Sequence, residues 1–126
     1  MLPEFFVEET VVREAGESPV FDCGEHADQN LLLTLGITHA TEQESIEVTI
    51  FDSKDGLRWR PIPIAHFSPK YYCGTYQLNL PAPHGRYLKA VWRVERWGAG
   101  GARPYFGLHL KCTQPHTARA LTHAAG

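Results

Sequence analysis

Long hydrophobic runs and blocks of like charge are both missing from this 126-residue sequence. No stretch approaches the roughly 20 apolar residues of a membrane-spanning helix, so no membrane span is predicted. Lysine and arginine number 12 against 14 aspartate and glutamate residues, and without a basic block there is no electrostatic support for a nucleic-acid partner. Glu4, Glu8 and Glu9 interrupt the apolar run that a secretory signal would need. A cytoplasmic location is therefore the expectation.

Cysteine is also scarce, with Cys23, Cys73 and Cys112 as its three occurrences. An odd and low count argues against a disulfide framework. We expect the three thiols to be small, buried, apolar groups. A single Cys23–Cys112 bridge is the alternative.

Apolar side chains recur at every second residue through most of the chain, as in Leu31–Ile37, Ile46–Ile50 and Phe106–Cys112. This is the period of a strand with one face on a core. Nine prolines and eleven glycines exclude long helices, and Lys54-Asp55-Gly56 predicts a tight turn. We predict eight strands, at residues 5–13, 19–23, 30–38, 45–53, 57–62, 71–80, 86–96 and 103–112. The predicted fold is all-β: a two-sheet antiparallel β-sandwich of the jelly-roll type over residues 1–112, followed by a polar, alanine-rich tail at 113–126.

Four segments resemble the motifs of discoidin-like domains (the coagulation factor 5/8 type C family). They are Pro19-Val20-Phe21-Asp22-Cys23-Gly24 before the Leu31–Thr38 strand, Ser53-Lys54-Asp55-Gly56-Leu57-Arg58-Trp59, Gly85-Arg86-Tyr87-Leu88-Lys89, and the closing strand Phe106–Cys112. The resemblance covers roughly residues 19–112 and implies a galactose-binding-like sandwich. The strand-like run Phe5–Arg13 departs from the family, which has acidic calcium-holding loops in that region. Calcium, sugar and lipid binding are therefore not carried over.

Motifs for catalysis or cofactor binding are weak. No G-x-S-x-G motif occurs, and Gly98–Gly101 lacks the following helix of a phosphate loop. A carboxylate pair for glycoside hydrolysis would have to come from Glu14, Glu17, Glu44 and Asp52, and nothing places two of them in one cleft. We predict no enzyme activity and no cofactor.

Seven histidines raise the question of a metal site. The nearest approach to a zinc ligand set comprises Cys23, His26, His109, Cys112 and His116. Their spacing is not that of a zinc finger or ribbon. Alternation also places Cys112 on the core face of its strand and His109 on the other face. No metal site is predicted.

Aromatic and arginine side chains form the stronger functional signal, because these residue types dominate protein-binding hot spots and also suit sugar rings. The candidate binding residues are Arg96, Trp97, Arg103 and Tyr105 around the Gly98–Gly101 loop, Arg58 and Arg60 from a second hairpin, and Tyr71 and Tyr72 from a third. Trp59, Trp92 and Tyr87 are expected to pack on the sheets.

Two functional hypotheses follow. The first is a non-catalytic protein-interaction or structural subunit, with a protein partner or copies of itself. The alternative is a carbohydrate-binding module that uses the aromatic and arginine cluster at the loop end.

Overall fold

The computed structural model describes residues 5–40, 44–96 and 105–113. The strands are β1 (Phe5–Val12), β2 (Gly16–Glu17), β3 (Phe21–Asp22), β4 (Leu31–His39), β5 (Glu44–Ser53), β6 (Ala65–Lys70), β7 (Gly74–Leu80), β8 (Tyr87–Arg96) and β9 (Phe106–Thr113), with a short 3-10 turn at Gly24–Asp28. No helix in these ranges is long and apolar enough to cross a membrane. Residues 114–126, which make up nearly all of the expected tail, lie outside them.

The strands form two antiparallel sheets, so the all-β sandwich prediction is confirmed. Sheet I has the order β1-β9-β4-β7, and sheet II has the order β2-β8-β5-β6 with β3 also on β8. If the two-residue strands β2 and β3 are counted as one interrupted strand, the orders become 1-8-3-6 and 2-7-4-5. This is the connectivity of a jelly roll.

The core lies between the sheets and follows the alternation in the sequence. Leu31, Leu33 and Leu35 of β4 are buried against Ile46, Val48 and Ile50 of β5. The alternate residues of β9, from Phe106 to Cys112, complete the core. Such burial supplies most of the stabilising free energy of a domain of this size.

Two parts of the strand prediction are wrong. Residues 57–62 are not a strand but part of a long exposed loop, and the partner of β5 is β6, which begins only at Ala65. Pro61 and Pro63 lack the N–H groups that a ladder requires. The sequence does not predict β6, because Pro69 lies within it and proline usually interrupts a strand; β6 is an edge strand, which tolerates proline.

The cysteine expectation holds for two of the three residues. Cys23 and Cys112 are buried free thiols, and they are not bridged. Burial raises the pKa of Cys23 to about 11 and that of Cys112 to about 12. Cys73 is exposed, contrary to the expectation, because it lies in the short connection between β6 and β7 and not within a strand.

The sandwich has two ends, named here by the strand residues found there. The His39 end holds the last residue of β4, the start of β5 and the link between β6 and β7. The Ser53 end holds the last residue of β5, the start of β8 and strand β3.

Candidate functional site

The predicted binding residues divide between the two ends of the sandwich. Tyr71 and Tyr72 follow β6 and Tyr105 precedes β9, so all three lie at the His39 end. Arg58 and Arg60 lie at the Ser53 end, in the loop between β5 and β6. The structure therefore does not bring the full predicted set together.

At the His39 end, Tyr105 is half-buried and packs edge-on against His39, with ring centroids 4.3 Å apart. The Arg13 guanidinium lies 5.0 Å from the Tyr105 ring centroid. Tyr72 is 77% exposed. Arg96 ends β8 opposite Glu44, while Trp97 and Arg103 fall outside the described residues.

At the Ser53 end, the loop of residues 54–64 is held by the side chain of buried Ser53. Its Oγ accepts from the backbone N–H of Gly56 at 2.9 Å and lies 2.6 Å from the carbonyl oxygen of Arg58, to which it donates. Gly56 has a φ of +78°, which favours glycine. The chain bends at Lys54-Asp55-Gly56, where the sequence predicts a tight turn, and Ser53 closes the bend; the bend leads into the 54–64 loop and not into a second strand.

Asp55 fixes the next two residues of the 54–64 loop. One of its carboxylate oxygens accepts the backbone N–H groups of Leu57 at 2.8 Å and Arg58 at 2.9 Å. These bonds, with that of Arg58 first in effect, lower the pKa of the Asp55 carboxyl below its ordinary value of 3.8. A lowered pKa means that the bonds stabilise the fold above pH ~4 and that this contribution is lost as the pH falls through the lowered pKa.

Asp52 ties the base of the loop to the neighbouring strand. The carboxylate is fully buried, and Oδ2 accepts the backbone N–H of Gly85 at 2.6 Å. Oδ1 has no hydrogen-bond partner within the described part of the chain, and the Arg60 Nε lies 3.6 Å from it. The backbone N–H of Arg60 donates to the Asp52 carbonyl. Gly85 must be glycine, because a Cβ there would stand 2.6 Å from the Ser53 carbonyl oxygen.

Three of the four motif segments of the discoidin-like resemblance meet at this end. Arg86 donates to both carboxylate oxygens of Asp22, at 2.7 and 2.9 Å, and this pairing lowers the pKa of Asp22. A Cβ on Gly56 would lie 3.4 Å from the Tyr87 ring. The motifs of residues 22–24, 53–59 and 85–87 are therefore in contact with one another. Arg86 joins the third motif to the first, and Tyr87 packs against the start of the 54–64 loop.

Sequence reasoning missed the side chains that the loop presents. Leu57 is 84% exposed and Ile62 is 75% exposed, whereas the sequence pattern predicts both in a strand. Trp59 is half-buried, with the Lys89 ammonium 4.7 Å from its ring centroid. The alternation of Pro61 and Pro63 with Ile62 was the available signal, because it excludes a paired strand.

Within the described ranges, no group of three histidine, cysteine, aspartate or glutamate residues is placed to hold a metal ion. His116, one member of the considered set, lies outside those ranges.

Comparison with known proteins adds no relative. The sequence matches no protein-family model, and no match was found among curated proteins or solved structures.

Proposed function

We propose that this domain is a non-catalytic interaction subunit that binds another protein, including a second copy of itself, through the 54–64 loop. The observation that carries the proposal is the exposure of Leu57 and Ile62 on a loop whose backbone is fixed from below by Asp52, Ser53 and Asp55. A preorganised loop loses little conformational entropy on binding. Pro61 and Pro63 add stiffness.

The side chains around these two apolar residues fit the composition of a binding surface. Arg58 is exposed, Arg60 is half-exposed, and both flank half-buried Trp59. Apolar anchors with neighbouring arginine and tryptophan are typical of interface hot spots. The groups with shifted pKa values have structural roles. Asp22 and Asp55, whose pKa values are lowered, hold loops through hydrogen bonds. Burial raises the pKa values of Cys23 and Cys112, which disfavours the reactive thiolate form.

A double variant, Leu57→Asp with Ile62→Asp, tests the proposal. Because both side chains are exposed, the thermal midpoint should stay close to that of the wild type. Light scattering at increasing concentration should give the wild type a mass well above 14.2 kDa and the double variant the monomer mass. If the partner is a different protein, proximity labelling should mark it around the wild type and not around the double variant.

A matched control is Val20→Asp with Asn79→Asp, which places negative charge at two exposed residues outside both the loop and β1. This control should keep the wild-type mass and partners. Identical masses and identical partner sets for the wild type and the loop variant would contradict the proposal.

The second candidate function is carbohydrate binding by a discoidin-like domain, which we propose as the alternative. Its support is the exposed ring of Tyr72 beside Tyr71, with centroids 6.4 Å apart, at the same end as Tyr105. The interlocked motif segments of residues 22–24, 53–59 and 85–87 support the family relationship. A glycan array should then show binding by the wild type that Tyr72→Ala and Trp97→Ala abolish, and an array with no binding would remove this candidate.

A further inference from the structure

A groove of about 620 Å³ runs between the two sheets on the side where β1 and β2 form the edges. Glu8, Glu9 and Thr10 of β1 line one wall, and Glu17 and Pro19 line the other. Trp92 of β8 lies between them. This groove is separate from the 54–64 loop, and none of its lining residues belongs to that loop.

Trp92 reaches the groove because its neighbour in β2 has no side chain. Trp92 pairs with Val48 on the inner face of sheet II. A tryptophan on that face would ordinarily be buried between the two sheets. On its other side it pairs with Gly16, and a Cβ there would lie 3.1 Å from the indole Nε1. Since β2 and β3 have only two residues each, the indole stays half-buried and open to the groove.

The backbone edge of β1 is open as well. In the described part of the chain, β1 pairs only with β9, and it is the outermost strand of sheet I. An open edge strand can accept another extended segment through main-chain hydrogen bonds, with alternate side chains of that segment directed to one face. A segment added to β1 would run along the wall of the groove that β1 forms.

The negative charge of the groove walls favours a positively charged ligand. Three glutamates line the groove, and no lysine or arginine of the described residues does. Glu17 has a partner in Lys89 at 3.4 Å, but neither Glu8 nor Glu9 forms an ion pair with another described residue. A cationic side chain would find both a carboxylate and an indole ring here.

We propose that the groove binds an extended basic peptide of a partner protein, which adds a strand to the edge of β1. Its lysine or arginine side chains pair with Glu8 and Glu9 and stack on Trp92. Pairing of β1 with β1 of a second copy is disfavoured, because it would bring the same glutamates of both chains together.

The test is fluorescence anisotropy with a labelled peptide of alternating lysine and valine, eight residues long to match β1. The wild type should bind it, with an affinity that falls as salt rises, and should not bind an alternating glutamate and valine peptide. Glu8→Gln with Glu9→Gln should weaken binding about tenfold or more. Glu95→Gln with Asp28→Asn, which removes the same charge from exposed positions outside the groove, should leave binding unchanged.

Several results would overturn the proposal. One is equal binding by the groove variant and its control. Another is equal binding of a lysine–valine peptide that is N-methylated at every peptide nitrogen, because neither edge of such a peptide could add a strand to β1. Binding that appears only in Arg119→Glu would identify the chain's own residues 114–126 as the occupant. A wild-type dimer that Glu8→Gln with Glu9→Gln dissolves would identify a basic segment of a second copy, and not β1 of that copy or a partner protein, as the occupant. The double aspartate variant of Leu57 and Ile62 should bind the lysine peptide like the wild type, so this test and that of the 54–64 loop can fail independently.

Discussion

Replacing Asp52 by alanine is expected to lower the free energy of unfolding by about 3 kcal/mol. The substitution leaves the buried N–H of Gly85 without its acceptor and Arg60 without its carboxylate. It also opens a cavity where a fully buried side chain stood. Urea denaturation followed by circular dichroism measures the change as a lower midpoint with an unchanged slope.

Asp52→Asn provides the matched comparison. The amide oxygen can still accept from Gly85, so this variant should lose less stability than Asp52→Ala. The remaining loss reports the missing charge opposite Arg60. Equal stabilities for the wild type and Asp52→Ala would show that the carboxylate does not anchor the base of the 54–64 loop.

The second large effect concerns the core between the sheets. Leu35→Ala should lower the free energy of unfolding by about 3 kcal/mol, because Leu35 is fully buried and its truncation removes apolar contacts and leaves a cavity. The identical substitution at Leu57, which is 84% exposed, should change stability by less than about 0.5 kcal/mol.

This pair of variants separates folding from binding with one chemical change. Leu35→Ala should lower the denaturation midpoint. Leu57→Ala should weaken partner binding and leave the midpoint almost unchanged. Similar losses of stability in both would mean that Leu57 is covered in the folded chain. Its proposed role as an exposed anchor would then fail.

The alternation of apolar residues was sufficient to predict the two sheets, because a half-buried strand must repeat every second residue. It located β4, β5 and β9 to within a few residues. It failed between residues 54 and 70, where Leu57, Trp59 and Ile62 imitate that period while Pro61 and Pro63 prevent pairing. Local pattern cannot distinguish an exposed apolar residue from a buried one when tertiary contacts decide the outcome.

The candidate site was predictable in its residue types and not in its arrangement. Arg58, Arg60 and Tyr72, which the sequence predicts as binding residues, are exposed, and their binding role stays a prediction. Their division between opposite ends depends on the jelly-roll connectivity, which no single motif encodes. The anchoring role of Asp52 depends on Gly85, which is 33 residues away in the sequence.

Amide hydrogen exchange in the 54–64 loop measures most directly whether this exposed segment is a preformed surface. The N–H groups of Gly56, Leu57 and Arg58 should exchange far more slowly than in an unfolded chain, because each donates to Ser53 or Asp55. Exchange at the rate of an unfolded chain would show that Leu57 and Ile62 sit on an unstructured segment, and the proposed docking role would lose its physical basis.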